Sequence, residues 1–252
     1  MFLHETLFLI SMKSVRIFSD PEAMAEEMAR CLCEQARQAA SNQRLYSIAL
    51  SGGSQDPVLY GQLAKPDWQN RIPWKSVHIF FADERCVPPD NEESNFKIVS
   101  HFLLNHIPIP KDNIHRIRGE GDPAAESIRY AKEIHNHMEW RNGSSNFFDW
   151  IFLGVGTDGH TASLFSGHDS LNSPNLCDMV RHPQTAQIRI TLTPSAIRQS
   201  HRITYHVIGK EKAKIISEIF SKTGKKNNYP AAQLSGEWFL DSDAASSLSP
   251  RP

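Results

Sequence analysis

Six short apolar runs, separated by stretches of helical periodicity, constrain the fold more than any other feature of this sequence. Val15–Phe18, Leu45–Leu50, Val77–Phe81, Trp150–Leu153, Ile188–Leu192 and Ile203–Ile208 are each the length of one buried strand. Between the first two, Asp20-Pro21 offers an N-cap and a first-turn proline. Met24, Met28, Leu32 and Ala36 then recur every fourth residue, which predicts a helix running to Ala39. Helical spacing returns over Val58–Leu63, Ser127–Met138 and Lys210–Phe220. Strands alternating with helices pair in parallel through right-handed crossovers, so the expected class is α/β. With 252 residues the chain can bury a full core. No repeat or linker divides it, so one domain is expected over 13–248, with 1–12 and 249–252 as terminal extensions.

Composition excludes several partners. Hydrophobic residues make up 40% and charged ones 22%, with a formal net charge of −1. That balance provides no basic field for nucleic acid or an anionic membrane. Cys31 and Cys33 are two apart and face different ways on a helix, and Cys86 and Cys177 lie far off. There is no C-x-x-C pair and no H-x-x-x-H within a clear helix, so neither disulfides nor zinc are expected, which suits a reducing cytoplasm. His101, His106, His115, His135 and His137 show no triad or ligand spacing and read as surface or core fillers. Met1–Ser11 is apolar, contains Glu5, has no basic start and is too short to cross a bilayer. It reads as an extension, with Met12 as an alternative start to Met1.

Three strand ends carry polar clusters, and in a parallel sheet the carboxyl ends share one edge, where ligands bind. Leu45–Leu50 runs into Ser51-Gly52-Gly53-Ser54, whose successive N–H groups and hydroxyls ahead of a helix form an anion cradle. No Walker lysine follows, which disfavours a nucleoside triphosphate. Val77–Phe81 runs into Asp83-Glu84-Arg85, where Arg85 can fork onto a phosphate or carboxylate. Trp150–Leu153 runs into Gly154-Val155-Gly156-Thr157-Asp158-Gly159-His160, a tight turn bearing one histidine. A dinucleotide fingerprint would open a helix there at once, but the chain continues through Ser166-Gly167-His168 to Pro174-Asn175. Arg189, Lys212 and Lys214 are further cationic candidates.

Several blocks together resemble the 6-phosphogluconolactonases. They are Leu50–Ser54, Asp83–Pro88 with Ser94-Asn95, and Leu153–Phe165 with Gly167. Later blocks agree: Arg189–Thr193, Gly209–Ala213, Pro230-Ala231 and Trp238–Asp241 with Ala244-Ala245. The similarity runs in order from Val15 to Leu248, and Asp158–Phe165 is its most specific part. The resemblance implies a Rossmann-like three-layer αβα fold around a mainly parallel sheet, shared with the glucosamine-6-phosphate deaminases. It implies hydrolysis of 6-phosphogluconolactone in the oxidative pentose phosphate pathway, with no cofactor, no metal and only a small-molecule partner. A monomer or weak homodimer is expected.

On that reading His160 is the general base, suited by histidine's ordinary pKa of about 6.5. Asp158 or Asp83 orients it, and turn N–H groups from Gly156 through Gly159 to His160 meet the oxyanion. The phosphate sits on Ser51, Gly52, Gly53 and Ser54, with Arg85, Arg189 and Lys212 as cations. Two departures from the family pattern stand out: Gln55-Asp56 where Thr-Pro is common, and Ser166 where proline is. The first is expected to raise KM. A deaminase would carry glutamate five residues after the histidine, where this chain has Phe165. A sugar-phosphate sensor fused to a regulator would need a DNA-binding element, and only about a dozen residues precede the first strand.

Overall fold

The computed structural model describes residues 15–53, 56–139, 146–221 and 228–248. Seven parallel strands form the central sheet, in the order β1 (Val15–Phe18), β10 (Glu237–Asp241), β9 (Ser200–Val207), β6 (Phe148–Leu153), β2 (Tyr46–Leu50), β3 (Val77–Phe81) and β5 (Ile114–His115). β2, β3 and β6 are buried at every position. Their sequences are accordingly near-continuous apolar runs, as strands covered on both faces require. Trp150 shows how the few polar atoms there are satisfied: its indole N–H donates to Thr204 Oγ1 at 2.7 Å.

Helix α1 (Pro21–Ser41) begins as predicted, with the Asp20 carboxylate accepting the Ala23 N–H at 2.7 Å. Met24, Met28, Leu32 and Ala36 form its buried stripe, packed over β1, β2 and β10. Helix α2 (Asp56–Leu63) starts two residues before Val58, because the Asp56 carboxylate takes the N–H of Gly53. Four short or medium helices follow: α3 (Pro66–Gln69), α4 (Asn95–Phe102), α5 (Pro123–Glu139) and α6 (Pro194–Arg198). The predicted helix over Lys210–Phe220 divides into a 3-10 turn, Lys210–Lys212, and α7 (Ala213–Phe220). Helix α8 (Pro230–Gln233) precedes β10.

The expectation of parallel pairing holds for the central sheet but not for Ile188–Leu192. That strand, β8, sits in a separate antiparallel sheet between β4 (Asp83–Arg85) and β7 (Cys177–Arg181). Ala82 joins the two sheets. Its N–H donates to Leu50 O at 2.8 Å, and its carbonyl accepts from Leu192 N at 2.7 Å. The cleft between the sheets opens beside this joint. No helix among the described residues is long and apolar enough to cross a membrane.

Candidate active site

One cleft of about 160 Å³ is lined by residues from all three of the predicted strand-end loops. Ser51, Gly52 and Gly53 come from the end of β2; Asp83, Arg85 and Asn95 from β4 and α4; Gly154, Val155, Gly156, His160 and Ala162 from the turn after β6. Arg189 reaches in from β8 and Lys212 from the turn before α7. Ser54 lies outside the described residues, as does Gln55.

The turn after β6 presents His160 by folding back on itself. Gly156 N donates to His160 O and Gly159 N to Gly156 O, each at 2.9 Å, and Thr161 Oγ1 donates to Gly154 O at 2.8 Å. Gly156 has to lack a side chain, since a Cβ there would lie 2.2 Å from His160 Nδ1. Gly159 adopts φ of +82° and lies against the Tyr229 ring, buried rather than on the cleft wall. Ala162 also has positive φ, 47°, a strained conformation for a residue with a Cβ and one that clusters at functional sites.

Of the two carboxylates considered for orienting the histidine, Asp158 is the one in contact. Its Oδ1 is 2.5 Å from His160 Nδ1 and accepts the His160 N–H at 3.2 Å. The hydrogen bond from His160, opposed by partial burial, holds the Asp158 carboxyl at about 2, so it is ionised at neutral pH. Asp83 is occupied elsewhere: Oδ2 accepts from Ser163 Oγ at 2.6 Å and Oδ1 from Asn95 Nδ2 at 3.1 Å. It ties β4 to the histidine turn and to α4 but does not touch His160. Phe165 packs against the histidine at a tilt of 51° with ring centroids 5.1 Å apart, so an apolar ring, not a second carboxylate, stands five residues after His160.

The Asp83-Glu84-Arg85 triplet divides its work by strand alternation. Glu84 points away from the cleft and accepts Asn95 N at 2.7 Å and Phe96 N at 2.8 Å, closing the start of α4. Burial pushes its carboxyl up, against those hydrogen bonds. Arg85 stands on the cleft side, directly across the ladder from Arg189. Two like charges facing each other across antiparallel strands are mutually destabilising. Burial lowers the Arg189 pKa; the nearby Asp83 carboxylate opposes that shift and Arg85 adds to it. Arg85 Nε is buried with no hydrogen-bond partner among the described residues. An anion between the two guanidiniums resolves both costs.

Two expectations change. The amides of Gly156, Gly159 and His160 already have acceptors inside the turn, which counts against an oxyanion hole built from those three. In the cradle, Gly53 N–H is taken by Asp56 Oδ2, and Ser51 Oγ donates to Phe152 O at 2.9 Å. Asp56 does not enter the cleft. It is fully buried and its other oxygen pairs with His206 Nε2. Sequence reading missed Asn95 and Ser163 as site residues, although both lie within the quoted blocks.

An α/β protein results in which a cleft at the carboxyl edge of a parallel sheet is lined by two arginines, a lysine and a histidine paired with a carboxylate. The chain belongs to the family of glucosamine-6-phosphate isomerases and 6-phosphogluconolactonases, whose model matches residues 19–239. It is 44% identical over 202 residues to a 6-phosphogluconolactonase of Haemophilus influenzae, covering 78% of this chain and 85% of that one. A solved structure described as devB protein superposes with a TM-score of 0.87 at 38% identity, covering 94% of this chain and 99% of that one. A monomeric glucosamine-6-phosphate deaminase shares the fold, with a TM-score of 0.78 at 18% identity over 93% of this chain and all of that one, 100%.

Proposed function

We propose that this protein hydrolyses 6-phospho-D-glucono-1,5-lactone to 6-phosphogluconate, the lactone-opening step of the oxidative pentose phosphate pathway. The observation that carries the reading is the His160–Asp158 couple set in one cleft with Arg85, Arg189 and Lys212. Ionised Asp158 accepts the proton on His160 Nδ1, which fixes the tautomer and leaves Nε2 as the base. Nε2 takes a proton from the water whose oxygen attacks the lactone carbonyl. The C–O bond to the ring oxygen then breaks, and the same proton passes from Nε2 to that oxygen. A δ-lactone is an activated ester, so a positioned water and one base suffice. The arginines and Lys212 share the phosphate and the oxyanion, since the amides of Gly156, Gly159 and His160 have acceptors inside the turn. Phe165 beside the histidine favours lactone hydrolysis over amino-sugar deamination.

The cysteines at 31, 33, 86 and 177 are all free, which fits a reducing cytoplasm. The test is an assay with fresh 6-phosphogluconolactone, corrected for its spontaneous hydrolysis, with unphosphorylated gluconolactone alongside. Expected are turnover on the phosphorylated substrate, much weaker turnover on the other, and no ammonia from glucosamine 6-phosphate. In a His160→Ala protein the rate should fall on the order of a hundredfold or more. Wild-type turnover in that variant would refute the assignment.

A further inference from the structure

Away from the cleft, three histidines from three elements converge in the core. His78 lies on β3, His115 ends β5, and His137 lies near the end of α5. All three are buried, and one ring nitrogen from each lies within 4.8 Å of the others. His78 Nδ1 and His115 Nε2 are 2.9 Å apart. None of the three lines the cleft.

Strand alternation and helix periodicity produce this cluster. His78 and Phe80 are two apart on β3, and His115 is the register partner of Phe80, so all three share one face. Helix α5 covers that face with Tyr130, Glu133 and His137, spaced at three and four residues. Glu133 Oε1 is 2.8 Å from His115 Nδ1, and its other oxygen pairs with Arg129. A carboxylate receiving Nδ1–H leaves Nε2 of His115 as the lone-pair nitrogen, the arrangement that orients metal-bound imidazoles. Phe80 stacks on His115 with centroids 4.2 Å apart and planes at 12°, an apolar wall on the same side.

We propose that His78, His115 and His137 bind a divalent transition-metal ion, zinc by preference, with a water as the fourth ligand, in a site that joins β5 and α5 to β3. Three imidazoles and no protein oxygen donor select zinc, cobalt or nickel over magnesium or calcium. Tetrahedral zinc with bonds of about 2.0–2.1 Å places its nitrogens roughly 3.3 Å apart, which two of the rings already approach. The third nitrogen, within 4.8 Å of the other two, has to come closer by up to about 1.5 Å. β5 is only two residues long, so an edge held by so little pairing gains most from a staple. The one-sequence view argues against zinc on spacing alone; the ligands here are 37 and 22 residues apart, and only the fold unites them.

The full chain, stripped with a chelator and dialysed, would be titrated with zinc and with cobalt. One equivalent per chain is expected, with cobalt giving the visible band of a four-coordinate ion. Zinc at a hundredfold excess over Kd should raise Tm by about 5–10 °C. A His137→Gln protein should lose the equivalent and the shift while keeping its turnover on the lactone; His160→Ala should keep both. Should His137→Gln fail to fold, His78→Gln serves instead, and the cobalt band of the wild type needs no variant. Absence of that band, or binding that survives His137→Gln but disappears in His160→Ala, would overturn the proposal.

Discussion

His160 gains its selectivity from Asp158, and the pair makes two predictions at the scale of single residues. Asp158→Asn removes the acceptor that fixes the Nδ1–H tautomer. The expected result is a fall in kcat of about 10²-fold or more with KM little changed, read from lactone hydrolysis at neutral pH. Because the folded carboxyl is held at about 2, below its unfolded value of ~3.9, its stabilising contribution is complete above pH ~5. It fades as pH falls toward 2. The difference in stability between wild type and Asp158→Asn should therefore shrink between pH 5 and pH 2, as followed by denaturant titration. Arg189→Ala should act the other way. Losing one charge-assisted bond to phosphate, about 1.5–3 kcal/mol, raises KM roughly 10- to 150-fold. Hydrolysis of unphosphorylated gluconolactone, which has nothing for Arg189 to hold, should change little. An equal effect on both lactones would show that Arg189 supports the fold rather than the phosphate.

At the scale of elements, what was legible followed from burial. β2, β3 and β6 are covered on both faces and so spell themselves as apolar runs. β4 could not be read this way, since Asp83-Glu84-Arg85 is a strand whose every residue is charged. Its two acidic side chains are satisfied by Ser163, Asn95 and the start of α4, partners that the one-dimensional pattern does not display. β5, two residues long, leaves no periodicity at all. The cleft itself was legible because three loops announced it separately, but the choice between Asp83 and Asp158 needed coordinates. Helix α2 yields the prediction proper to this scale. Asp56 at its start is buried between Gly53 N–H and His206, not turned toward the substrate. Asp56→Ala should cost about 1–3 kcal/mol, the usual penalty for leaving a buried hydrogen-bonding partner unsatisfied. Any rise in KM should follow from a loosened Gly53 backbone, and a thermal melt beside the kinetics would separate the two effects. Unchanged stability would mean that the pair contributes nothing.

For the whole molecule, the cleft is a seam between two sheets that touch through Ala82. The small antiparallel sheet brings Arg85 and Arg189, which repel each other across the β4–β8 ladder. The edge of the central sheet brings Ser51–Gly53 and the histidine turn. A doubly charged ligand lying between them neutralises the repulsion and links the sheets, so binding should appear as global stability. A ligand that binds only the folded chain stabilises it by about 2.7 kcal/mol at a hundredfold excess over Kd. For a protein of this size, that corresponds to a Tm increase of about 5–10 °C. 6-Phosphogluconate, the product, should produce this shift, and inorganic phosphate a smaller one at its own saturation. Without ligand, Arg189→Ala should melt no lower than wild type, because it relieves a like-charge contact, yet it should lose most of the ligand-induced shift. A variant that melts much lower in the absence of ligand would mean that Arg189 is chiefly a structural residue. The phosphate would then have to rest on Arg85 and Lys212.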